Sequence, residues 1–140
     1  MQVNVTTNPR NLSSIPKNMR KAYEAKLKTA FFRVAQIGIN IIQDRTKEGY
    51  GYKGGRFKPY SEKYAAFLVK KNRDTFPNLI YSGNMMAAMT STANSKKAEI
   101  FFRGKTESGK ASGNNKIRPF FGFDKEEKKR IARAFERFIQ

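Results

Sequence analysis

Acid–base, nucleophilic and metal chemistry need particular side chains, and this sequence supplies few of them. It contains no His and no Cys. Carboxylates, Lys and Ser are therefore the groups left to hold a metal, move a proton or attack a carbonyl. Asp44 and Glu48 stand four residues apart, which puts both on one face of a helix and could hold Mg²⁺ through oxygen ligands. Arg45 and Lys47 flank them, so the simpler expectation is a solvated, salt-bridged face. Glu126 and Glu127 are adjacent and point to different sides of a helix. Ser61 and Ser82 fall where a helix cap and a turn are expected. Glu48 to Gly55 reads EGYGYKGG, but it lacks the G-x-x-x-x-G-K-[ST] spacing of a phosphate-binding loop. It reads as a connector whose Tyr50 and Tyr52 are candidate interface aromatics. No catalytic residue, cofactor or metal is expected.

The elements that must position these residues follow from periodicity. Gln2 to Thr7 alternates around Val3 and Val5, the pattern of a short strand, and Asn8-Pro9 breaks it. A long helix is expected over Lys17 to Lys47, with Pro16 in its first turn and Ser14 as a cap. Met19, Tyr23, Leu27, Phe31, Val34, Ile37 and Ile41 form its apolar stripe, widened by Ala30, Gly38 and Ile42. At ~1.5 Å per residue it is about 45 Å long, so one end is expected to project or to pack on a neighbour. The turn-rich Gly54 to Pro59 leads to Ser61, which caps a short helix carrying Tyr64, Ala65, Phe67 and Leu68. Met89 to Ala93 and Ala98 to Arg103 read as a hairpin turning at Asn94-Ser95. Gly104 to Asn115 holds no large apolar residue and is expected to be a mobile loop, disordered in solution and ordered only in an assembly, bearing Lys105 and Lys110. Lys116 to Arg118 reads as a third strand or an extended approach to Pro119. Asp124 caps a last helix with Ile131, Phe135, Phe138 and Ile139 on its apolar face. The sum is a single α+β domain over residues 1–140: a small antiparallel sheet packed with a long N-terminal helix and a C-terminal helix.

The 140 residues carry 29 Lys and Arg against 11 Asp and Glu, a formal net charge of +18. Such a balance calls for an anionic partner: nucleic acid, a membrane surface or an acidic protein face. The lack of Cys excludes disulfides and thiolate metal sites. No apolar run approaches the ~20 residues of a membrane span, and the first residues lack a signal-peptide core. A chain made in the cytoplasm, without a membrane partner, is expected. Nucleic-acid binding is supported by the charge, yet most of the 12 Phe and 6 Tyr fall on apolar faces. No helix-turn-helix, zinc-finger or RNA-binding signature is visible.

Three motifs in order carry a resemblance. The chain supplies Phe57-Lys58-Pro59-Tyr60-Ser61, then Lys63 and Lys70, then Leu79-Ile80-Tyr81-Ser82-Gly83-Asn84-Met85, and finally Arg118-Pro119-Phe120-Phe121-Gly122-Phe123-Asp124. The set resembles the virion morphogenesis (tail completion, head–tail joining) proteins of tailed bacteriophages over most of the chain. Tyr60 stands where that pattern usually has Leu, and Tyr81-Ser82 replaces a Thr before the Gly. The resemblance implies a structural virion protein at the head–tail junction, a neck, tail-completion or tail-terminator subunit. It further implies a homo-oligomeric, hexameric ring that joins tail to head among other neck, connector or tail-tube proteins, with non-specific contact to DNA in the channel. The alternative is a non-specific basic DNA- or RNA-binding protein. A ring uses two different faces of each subunit; candidate interface residues are Val3, Val5, Tyr50, Tyr52, Lys105, Lys110 and Arg118.

Overall fold

A computed structural model describes residues 1–6 and 15–140. The expected cap at Ser14, the break at Asn8-Pro9 and the end of the first strand at Thr7 lie outside the described residues. The chain is α+β. Strand β1 (Gln2–Val5) precedes the long helix α1 (Lys17–Lys47), and the short helices α2 (Glu62–Lys70) and α3 (Asn84–Ala87) follow. The hairpin β2 (Met89–Ala93) and β3 (Ala98–Phe102) comes next, then α4 (Lys105–Ile117) and α5 (Lys125–Ile139).

The sheet has the order β1-β3-β2 and is antiparallel throughout. β3 is central, with Ile100 opposite Val3 on one side and Ser91 on the other. Its Ala98, Ile100 and Phe102 are buried while Glu99 and Phe101 are not, the period of two that a half-covered sheet demands. The hairpin turns where expected, because the Asn94 side chain accepts from the N–H groups of Lys96 and Lys97. The third strand is β1. Lys116 and Ile117 belong to α4 instead, and only Arg118 is extended, at φ −127° and ψ 89°.

α1 spans the sheet with one face and meets α5 with another. Two partners widen its buried arc beyond a single stripe, so Ala35 and Ile39 are buried although they lie off the expected face. Full burial begins at Leu27; Tyr23 packs partly buried against the core, and Met19 is exposed. Pro16 precedes the helix rather than lying in its first turn, its carbonyl accepting from Met19 and Arg20 N–H. At Gly38 a Cβ would come within 2.8 Å of the Phe123 ring, so a side chain there would displace the core. α5 opens with a capping box between Asp124 and Glu127, and its Phe135 packs on Phe31 with ring centroids 4.6 Å apart.

The expected mobile loop at Gly104 to Asn115 is instead α4. The absence of large apolar residues did not prevent packing: Ala111 is fully buried, and α4 packs against α3 and β3. The Asn115 side chain accepts from the N–H groups of Phe120 and Phe121, tying the helix end to the segment after it. Gly104, at φ +81°, opens the helix in a conformation that L side chains rarely adopt. Two kinds of substitution test this packing with opposite signs. Nothing lies within 4 Å of a Cβ placed on Gly109 or Gly113, so Gly109→Ala and Gly113→Ala should each stabilise the fold by about 1 kcal/mol through helix propensity. Ala111→Leu should destabilise it by about 1–3 kcal/mol through over-packing. Thermal denaturation reads both.

Candidate functional site

The region that gathers the conspicuous residues is built around an irregular stretch, Arg118 to Phe123, that runs through the core. Phe120, Phe121 and Phe123 are buried, so the backbone between them needs internal hydrogen-bond partners. Asn115 supplies the acceptor for two N–H groups. Arg45 supplies donors: its guanidinium reaches the carbonyls of Phe120 and Gly122 and pairs with Glu127. The carbonyl of Pro119 accepts from Tyr52 N–H at 3.2 Å. A Cβ on Gly51 would sit 2.5 Å from that same oxygen, so the connector lies against the stretch at a place only Gly allows. Tyr50 pairs with Arg56 across the connector, and Phe57 N–H donates to Gly49 at 2.8 Å, folding EGYGYKGG back on itself.

Arg118 reaches the other way. It is 8% exposed; its Nε donates to the Lys58 carbonyl at 2.7 Å and its Nη2 to the Pro59 carbonyl at 2.9 Å. Its guanidinium lies 4.6 Å from the centroid of the Tyr60 ring, a cation–π contact. The Tyr60 hydroxyl accepts from Leu79 N–H at 3.0 Å. Leu79 holds φ +58°, a left-handed conformation that a leucine adopts only when its surroundings fix it; here the side chain is buried and its amide is bonded. Burial pushes the Tyr60 phenol above its ordinary value, opposed by the Leu79 amide and by the nearby Arg118.

Above this cluster opens a groove of 910 Å³ between α2 and α4. Tyr60, Leu79, Met85 and Arg118 belong to its lining, as do Tyr64 and Phe67 from α2 and Lys110, Asn114 and Ile117 from α4. Four aromatic rings run along it: Tyr60 against Tyr64 at 4.9 Å, Tyr64 against Phe67 at 6.0 Å and Phe67 against Tyr81 at 6.1 Å. Tyr64, Phe67 and Tyr81 are exposed, as is Ile117 at 59%. α2 buries only Leu68, although Ser61 caps it as expected by accepting from Tyr64 N–H.

The candidate interface residues are thus divided. Val3, Val5 and Tyr52 meet in a second groove, of 520 Å³, between β1 and α5. Val5 is itself largely buried, with its side chain in the core. Tyr50 is exposed with the Arg56 guanidinium 5.3 Å from its ring centroid. Lys105 is exposed at the start of α4, and Lys110 lines the larger groove in a pair with Glu107 at 3.2 Å. Arg118 is a buried tie rather than a surface cation. The salt-bridged face expected around Asp44 and Glu48 does not form: Arg45 pairs with Glu127, and among the described residues neither Asp44 nor Glu48 has a salt-bridge partner. Arg45 is the structural residue that sequence reasoning missed. Its position three and four residues beyond Ile42 and Ile41, on the buried stripe, was the available signal. Among the described residues no group of three or more acidic side chains could hold a metal ion, and no helix is long and apolar enough to cross a membrane. Comparison with protein-family models, curated proteins and solved structures finds no match.

Arg118→Met, which keeps the bulk but removes both bonds to the Lys58 and Pro59 carbonyls, should destabilise the fold by about 2–3 kcal/mol, the scale of charge-assisted bonds. Tyr60→Phe should remove about 1 kcal/mol with the Leu79 bond. The raised Tyr60 phenol favours its neutral form in the folded state. Its stabilisation is therefore complete below the ordinary tyrosine value of about 10 and is lost as pH rises through the higher folded value. Chemical denaturation across the alkaline range should show a shallower loss of stability above pH ~10 for Tyr60→Phe than for the parent.

Proposed function

We propose that the chain is a structural subunit of a tailed-phage virion, set at the head–tail junction as a neck, tail-completion or tail-terminator protein, where copies form a hexameric ring that joins tail to head. The observation that carries the reading is the physical unity of the three motifs of the resemblance. Pro59-Tyr60, Leu79 and Arg118 are far apart in sequence. They meet through the Arg118 bonds to the Lys58 and Pro59 carbonyls, its contact with the Tyr60 ring and the Tyr60 bond to Leu79. The motifs therefore pack as one tertiary unit, and this supports the reading. The role is non-enzymatic and calls for no cofactor.

A ring needs two different faces on each subunit; the groove between β1 and α5, lined by Val3 and Tyr52, supports one of them, and the exposed start of α4 at Lys105 the other. With +18 on each chain, copies repel one another until acidic partners or DNA offset the charge. Free protein is then monomeric and the ring belongs to the particle. Mass spectrometry of purified particles should find the chain, and a reconstruction of the junction should show it as a closed ring around the channel; a single off-axis copy would overturn the ring. The charge also favours a second reading, a free DNA- or RNA-binding protein. Duplex DNA titrated at rising salt separates the two: the virion reading expects weak binding that vanishes with salt, the other a nanomolar affinity that survives it.

A further inference from the structure

Exposed aromatic rings are costly to leave in water, and contiguous ones mark a surface that another molecule covers. Tyr64, Phe67 and Tyr81 form such a run, continued across the groove by Ile117 on α4. The charge around them is lopsided. Glu107 is already paired with Lys110. Lys58 lines the groove, Lys71 stands over the Phe67 ring at 5.9 Å and Arg73 over the Tyr81 ring at 5.2 Å. Among the described residues, none of these three cations has a carboxylate within salt-bridge distance.

We infer that this groove is the docking site for an acidic peptide segment of a partner protein, anchored by apolar side chains against Phe67, Tyr81 and Ile117 and flanked by carboxylates that meet Lys58, Lys71 and Arg73. Nothing in the groove's chemistry depends on the chain's setting in a virion. Single-stranded nucleic acid fits less well. Lys71 and Arg73 occupy ring positions on which bases would stack. A second copy of the chain also fits less well, since a body of net charge +18 brings excess cations against Lys58, Lys71 and Arg73.

The test is a display library of random 16-residue peptides, selected on the parent protein and counter-selected on a Phe67→Ala/Ile117→Ser variant that keeps the charge but loses the anchors. Both positions are exposed, so the variant should keep the parent's Tm to within about 2 °C, the scale expected of surface substitutions. The expected result is enrichment of peptides that combine aromatic or aliphatic anchors with Asp and Glu. The enriched peptide, made synthetically, should bind the parent at least tenfold more tightly than it binds Phe67→Ala or Tyr81→Ala, and its amide shift changes should centre on α2 and α4. Enrichment that is absent, free of pattern or indifferent to the counter-selection would overturn the site. So would a 16-nucleotide oligo-dT that binds the parent and is weakened tenfold by Phe67→Ala, which would assign the groove to single-stranded nucleic acid.

Discussion

The structure depends on satisfying the backbone of an irregular segment that passes through its core. Arg118 to Phe123 carries three buried Phe side chains, and their burial draws into the interior a main chain that belongs to no helix or strand. An unpaired buried amide or carbonyl forfeits a hydrogen bond to water without replacement. Arg45, Asn115 and the Tyr52 amide meet that demand. Arg45 takes the carbonyls of Phe120 and Gly122, Asn115 takes the amides of Phe120 and Phe121, and Arg118 turns outward to the carbonyls of Lys58 and Pro59. Arginine suits this work because its planar fork presents several donors at once and stays charged. The Arg45–Glu127 pair and the face of Tyr60 offset part of the desolvation of the two cations.

Because these ties reach in several directions, they also fix the relative placement of the parts. Arg45 lies near the end of α1 and Glu127 in the first turn of α5. Asn115 belongs to the last turn of α4, and Lys58 and Pro59 lead into α2. The groove between α2 and α4 is a consequence: Arg118 and Tyr60 hold its base, while α2, which buries only Leu68, leaves its aromatic side open. A stable base under an uncovered aromatic wall is an arrangement suited to binding in an assembly, since it presents apolar surface without requiring the core to rearrange.

The net charge acts on a different scale. Among the described residues only four ion pairs form, so most of the 29 Lys and Arg side chains remain uncompensated at the surface. They contribute little to the fold and much to the field around it. Such a field favours anionic neighbours and disfavours self-association of the free chain.

Periodicity and local chemistry were enough to determine α1 from Lys17 to Lys47, the cap of α2 by Ser61, the hairpin turning at Asn94 and the cap of α5 by Asp124. These are short-range effects: a repeat of apolar residues, a side chain that bonds its own backbone, a turn closed within four residues. Tertiary structure decided what depends on distant partners. The helix α4 was illegible because its anchor is a single small residue, Ala111, and because Asn115 is bonded to amides that only the folded core brings near. The same holds for Arg118, legible as part of a motif but not as a buried tie, and for Arg45, whose partner Glu127 lies 82 residues away. The face of a helix that meets water or core can be read from spacing, whereas the identity of the group that satisfies a buried carbonyl is settled only when the chain has closed around it.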